Sequence, residues 1–376
     1  MHINRYTILI ALIPFLVDSH LVPSWASYLV VIALALMTIR NYEPFQHNGL
    51  VCGYILVIVT SVFRLQQYSF DMVKDVGLMA IGILPFLAKN NLRVEARGLN
   101  LLFMAGFMFL VGTRFLSFNL SIRTFIVSHF GIEMGAYTYT LGLFAVYWMV
   151  RDYKRWALLN LVLMFLGGKR IAMAAGIICM LIAFYYRYKE GEVRKLWKLL
   201  IAAGCVLYLY ISWRFARGAY NDIILEYTEK SADAFALGRQ QLFRAVYNIM
   251  PDPNLWGVGP GNTCDYLQNT VGLKRMHNDI LKVYSENGIF ISIGFLLFLL
   301  RKLNYKKLPL LIFIMFVYCT TNTFIYVYMI FMYVLFLEAD QYIYIGEMSG
   351  ETNMYIRMMQ DKEKIRLRKH ANVDSK

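Results

Sequence analysis

The chain is 376 residues long, with 59% of them hydrophobic, only 16% charged, and 38 basic against 24 acidic residues for a formal charge of +14. Soluble domains run at roughly 45–50% apolar and about 25% charged, so this composition excludes a cytosolic enzyme, a collagen-like fibre and a disordered chain. The basic excess lies mainly in short connections between apolar runs, where it meets anionic lipid headgroups and not nucleic acid.

A hydrocarbon core about 30 Å thick takes roughly 17–25 helical residues. Read in windows of that size, the sequence predicts an all-α, polytopic integral membrane bundle of about twelve transmembrane helices. In chain order these are residues 6–22, 25–39, 49–63, 74–88, 98–116, 136–150, 156–167, 170–186, 196–213, 279–300, 308–320 and 323–337. With the N-terminus cytoplasmic, the inner connections hold 24 of the 38 basic residues, as the positive-inside rule requires. Both termini are then cytoplasmic. Asp18, Ser19, His20 and Pro23 offer no small-residue cleavage site, so the first span is expected to be retained. Five cysteines show no Cys-x-x-Cys or Cys/His spacing, so neither a disulfide framework nor a zinc site is implied.

The domain organisation expected is nine spans in 1–213, a large periplasmic loop in 214–278, three spans in 279–338 and a basic cytoplasmic tail in 339–376. A connection of that length is far beyond the roughly 4–6 residues typical between elements and is usually functional. Within it, Phe235, Leu242, Phe243, Val246, Tyr247 and Met250 recur at helical spacing over 234–250, predicting an amphipathic helix on the membrane surface or capping the bundle. Pro251-Asp252-Pro253-Asn254 ends it. Leu255-Trp256-Gly257-Val258-Gly259-Pro260-Gly261-Asn262 follows, its glycines permitting tight turns and close backbone approach.

Arginine recurs at the external ends of predicted spans, at Arg64, Arg114, Arg170, Arg214 and Arg217, and again in the loop at Arg239 and Arg244. A single such arginine is most simply a snorkelling contact to lipid phosphate. As a set they suggest a convergent anion site, because guanidinium binds phosphate in a bidentate fork and stays charged. Arg275 joins them just ahead of the tenth span. Gly167-Gly168-Lys169-Arg170 offers a sharp reversal followed by an outward-facing helix N-terminus, without the spacing of a P-loop.

The segment from Met276 to Gly288 is the other candidate. Asn278 is a good N-cap, which puts His277 at the outer helix entrance, where the N-terminal dipole disfavours imidazolium and leaves a ring able to accept a proton. At 100° per residue Leu281, Tyr284 and Gly288 share the His277 direction, Gly288 admitting a neighbouring helix. Glu286 points the opposite way, placed to order the loop or hold an arginine. His20, His47 and His129 lack such company. No Asp-x-Asp motif occurs in the outer loops, consistent with arginines in place of a divalent metal.

Gly238-Arg239 with its amphipathic helix, then the stretch 255–262, then His277-Asn278 with Leu281, Glu286 and Gly288, resembles the O-antigen ligase and O-antigen polymerase superfamily of bacterial envelope glycosyltransferases. The likeness is close over about 50 residues, and the topology matches over nearly the whole chain. It implies a GT-C-like glycosyltransferase of the inner membrane that acts in lipopolysaccharide biosynthesis, using an undecaprenyl-diphosphate-linked glycan, with no metal or other cofactor and an active site on the periplasmic face. Carried over by motif, the catalytic residues would be His277, Arg239 and Arg170, although Lys169 stands where the family often has Ser or Thr with Gly, and Arg244 rivals Arg239. Arg114, Arg217, Arg244, Arg275 and Tyr284 are candidates for substrate binding. Expected partners are lipid-linked glycans and membrane lipids, with a chain-length regulator and a flippase of the same pathway. The strongly basic, aromatic-rich chain favours a polymerase, with two lipid-diphosphate substrates, over a ligase acting on lipid A-core. A flippase or exporter is the alternative from another class, but mid-membrane polar residues and inverted repeats would be expected of it.

Overall fold

A computed structural model describes residues 3–19, 21–23, 25–38, 49–63, 70–87, 92–117, 134–167, 169–236, 238–273 and 275–345. Arg64, His20, His47, His129, Gly168 and the tail beyond Ile345 lie outside the described residues. Seventeen α-helices and one two-stranded parallel pair occur among those described, an all-α membrane architecture.

Each of the twelve expected spans coincides with a helix: α1 (Arg5–Asp18), α2 (Ala26–Thr38), α3 (Gly49–Phe63), α4 (Phe70–Ile83), α5 (Ala96–Ser117), α6 (Gly135–Val150), α7 (Lys154–Leu166), α8 (Arg170–Tyr186), α9 (Lys195–Ala216), α14 (Asp279–Leu300), α15 (Leu308–Tyr318) and α16 (Val327–Leu337). Three are long and apolar enough to cross a membrane unaided, within α5 and along α9 and α14. Five more, including α15 and α16, are shorter and apolar. The last span begins later than its apolar run, at Val327, because Thr323–Ile325 is wound as a 3₁₀ turn. The centre of the bundle is α6, buried at every residue from Ala136 to Val150. A helix apolar all round is one enclosed by other helices.

The two ends of the bundle gather different residues. At one, Asn4 donates to the Arg93 carbonyl, and β1 (Val94–Glu95) pairs in parallel with β2 (Ile343–Tyr344) after the short α17 (Ala339–Tyr342). Arg151–Asp340 and Lys307–Glu338 ion pairs lie there too. At the other, Asp18 accepts from the Tyr137 amide and Tyr139 bonds Thr321. The basic connections of the sequence thus belong to the first end and the candidate site to the second.

The connection from α9 to α14 folds as α10 (Asn221–Thr228), α11 (Ala232–Phe235), α12 (Arg239–Ile249) and α13 (Asn262–Val271). The amphipathic helix is shorter than its periodicity predicts: Gly238, at φ +81°, separates α11 from α12. Its apolar face does not lie on lipid. Leu242, Phe243, Ala245 and Val246 are buried with Ala216, Leu267, Met276 and Leu281 in a second core distinct from that of the bundle, so α12 caps the bundle.

Gly288 also departs from expectation. It breaks α14, with φ +77° and ψ −178°, and what approaches it is no helix but the backbone of Leu255 and Trp256. Carbonyls orphaned by the break are met by the glycine-rich turn: Val258 N–H donates to Ser285 and Gly259 N–H to Glu286, at 2.8 and 3.0 Å. Asn254 donates to the Tyr284 carbonyl at 2.7 Å and accepts through its own carbonyl from the Ile289 amide at 3.0 Å. Gly257 lies against Glu286 and Asn287 so closely that a Cβ would collide with their backbone.

Candidate functional site

The second core fixes the chain up to Met276, which is buried, and the first turn of α14 fixes it from Asn278 onward. Between them His277 is exposed, with a left-handed φ of 52°. Asn278 is the N-cap expected, its Oδ1 accepting from Leu281 N–H at 3.0 Å. Its Nδ2 donates to the Tyr208 hydroxyl at 2.9 Å, and that hydroxyl donates to the Cys319 carbonyl. Asp279 is fully buried and accepts from both the amide and the hydroxyl of Thr323. Asn322 sets its Nδ2 3.3 Å from His277 Nδ1. The helix entrance is therefore stitched to α9 on one side and to the α15–α16 connection on the other.

Arg239 opens α12 directly after Gly238, half-buried, within electrostatic reach of Tyr208. Tyr208 is also the hydroxyl that Asn278, the residue after His277, donates to, which places Arg239 near the entrance of α14. Arg244 is exposed, and its Nε donates to the Ala216 carbonyl at 3.0 Å, latching α12 onto the end of α9. Arg217 is exposed at the C-cap of α9. Arg275 is half-buried and acts electrostatically on Cys264. Arg114 lies late in α5 and Arg170 opens α8; their side chains lie outside the described residues. The backbone puts the start of α8 at the site's end of the bundle, since Lys169 lies beside the first residue of α6 and Tyr139 of α6 bonds Thr321. Gly167 is needed there for closeness and not for a turn: its backbone is right-handed and packs on Thr138.

Beneath the rim, between α9 and α14, runs a cavity of about 370 Å³. Tyr247 and Tyr284 stand among its walls with Leu209, Ile293, Leu296 and Met315, an apolar lining. Burial pushes the Tyr247 hydroxyl up to about 12, against the opposing effect of its Ser212 hydrogen bond, so it is a hydrogen-bonding phenol throughout the physiological range.

Behind the rim lies a charged cluster that sequence reasoning did not find. Lys282 Nζ is 3.0 Å from Asp75 and 2.8 Å from Glu286, and the Thr263 hydroxyl donates to Glu286. All are buried. Glu286 thus orders the loop, as expected, by seizing the start of α13. The Lys282–Glu286 spacing was a visible i,i+4 pair; Asp75, two hundred residues away, carried no signal. Cys264 sits beside this cluster, its thiol raised to about 11 chiefly by burial, with Lys282 pulling the other way. Tyr208, Asp279 and Asn322 were missed too, each a polar residue that looks ordinary until its partner is in place.

A polytopic helical membrane protein with cationic groups and a histidine at one rim is the class defined by this fold and site. A family model described as O-antigen ligase matches residues 156–299, from α7 through most of α14. The match covers less than half of the chain and supports the resemblance to the O-antigen ligase and polymerase superfamily read from the sequence. No curated protein matches the chain.

Proposed function

We propose that the protein is an O-antigen polymerase of the bacterial inner membrane, joining undecaprenyl-diphosphate-linked oligosaccharide repeat units at the periplasmic face. The observation that supports this reading is the hydrogen bond from Asn278, next to His277, to Tyr208, on which Arg239 acts electrostatically, above an apolar cavity suited to a polyprenyl chain. The acceptor hydroxyl oxygen bonds to the anomeric carbon of the donor sugar as the bond from that carbon to the diphosphate oxygen breaks. The electron pair leaves with the diphosphate, and the hydroxyl proton passes to His277 acting as general base. Arg239 and Arg170 offset the charge developing on the leaving group, with Arg114, Arg217, Arg244 and Arg275 extending the cationic rim and Tyr284 contacting the lipid-linked substrate from the cavity wall. No metal is required by this scheme, since guanidinium supplies the positive charge.

Ligase activity is the second reading, favoured by the description of the matching family; it differs only in its acceptor, lipid A-core. Purified protein incubated with lipid-linked repeat units alone separates the two. Ladders of longer glycans are expected, and product that forms only after core acceptor is added would assign the ligase. His277→Ala, Arg239→Ala and Arg170→Ala should each remain inserted and lose about 100-fold or more of product. Normal glycan lengths in all three would overturn the site assignment. Movement of lipid-linked glycan across vesicles without any glycosidic bond formed would assign a transporter.

A further inference from the structure

Asparagine at an N-cap ordinarily turns its side-chain oxygen onto an amide two or three residues ahead. Asn322 stands in that position before the 3₁₀ turn Thr323–Ile325, and its side chain makes no such bond. The turn is instead held from across the bundle, where Asp279 accepts from the Thr323 amide and hydroxyl. Released from capping, the carboxamide of Asn322, on a residue only 4% exposed, faces the His277 ring. His277 itself adopts a left-handed backbone, a conformation that costs a non-glycine residue on the order of 1–2 kcal/mol and that persists where surrounding structure over-determines it, commonly at functional sites.

We propose that Asn322 is a positioning residue for His277, holding the ring through Nδ1. This rests on the assignment of His277 to the transfer site. A carboxamide suits the task because it serves either state of Nδ1: Nδ2 donates to a bare nitrogen, and after a half-turn Oδ1 accepts from a protonated one. Being uncharged, it holds the ring without raising its basicity as a carboxylate would. Of the charged groups on neighbouring segments, Asp279 on α14 has its carboxyl engaged by Thr323, Arg239 on α12 acts on Tyr208, and Arg275 acts on Cys264.

The test uses the full chain in detergent, assayed on the lipid-linked repeat unit extracted from the producing cell. Asn322→Ala is expected to lower kcat about 10-fold or more, as loss of alignment does, with KM changed by less than about twofold. Asn322→Asp keeps the shape and sets a carboxylate against Nδ1. It should recover most of kcat and move the acidic limb of the kcat profile upward by about one pH unit. Wild-type kcat in Asn322→Ala, or a wild-type pH profile in Asn322→Asp, overturns the role of Asn322 while an inactive His277→Ala leaves the transfer site standing. An active His277→Ala overturns that site itself. Should Asn322→Ala fail to insert, the pH profile of Asn322→Asp decides.

Discussion

Lys282 is the residue whose surroundings are least expected from the sequence. It carries a charge into a buried position and is matched there by Asp75 and Glu286. A buried ion cluster contributes little net stability, because desolvation offsets attraction, but breaking it leaves uncompensated charge. Lys282→Met is therefore expected to destabilise the protein by about 3–5 kcal/mol. The triple change Lys282→Met, Asp75→Asn, Glu286→Gln should recover most of that loss. Thermal unfolding in detergent of the single and triple variants checks this; equal losses in both would mean that the charges themselves are not what matters. Three of the residues that build the rim, His277, Asn278 and Arg239, were legible because each sits in a local pattern: a cap, a helix entrance, a glycine followed by an amphipathic run. Asp75, Tyr208 and Asn322 were not, because their roles exist only across sequence separations that no local pattern encodes.

Among the elements, α14 sets the geometry of the site. Its period and apolar content announced a single span, and it is one in length, yet it consists of two helical pieces joined at Gly288. Hydropathy registers only burial and composition, and a break whose carbonyls are satisfied by a neighbouring loop leaves both unchanged. The glycines of 255–262 were correctly read as permitting close approach, but the partner in that approach was hidden. Gly288→Ala should cost on the order of 1–3 kcal/mol from backbone conformation alone, with collision against Leu255 in addition. Gly77→Ala, in α4, provides the contrast, since a Cβ there meets nothing within 4 Å. Alanine is the better helix former, so that change should be neutral or stabilising by up to about 1 kcal/mol. A melting temperature for Gly288→Ala no lower than that of Gly77→Ala would refute this account of the break.

At the scale of the whole molecule, the charge asymmetry of the sequence and the contacts of the structure agree on which connections share an end. The β1–β2 pairing and the Asn4–Arg93 bond join the N-terminal, middle and C-terminal parts of the chain at the basic end. Alkaline phosphatase fused after Tyr344 is expected to be inactive, and fused within 217–231 active, in intact cells. The reverse pattern would invert the orientation and remove the outward-facing site. The all-α reading was legible because burial in lipid imposes long apolar runs, whereas the arrangement of the helices around α6 depends on packing that apolar runs do not specify.

The amides of Val258 and Gly259 are already committed to the carbonyls of α14. A turn of that composition elsewhere can wrap an anion in main-chain N–H groups, but these two have no donor left to give. On the proposed function, recognition of a diphosphate here would fall to cationic side chains, and attraction of that kind weakens as electrolyte is added.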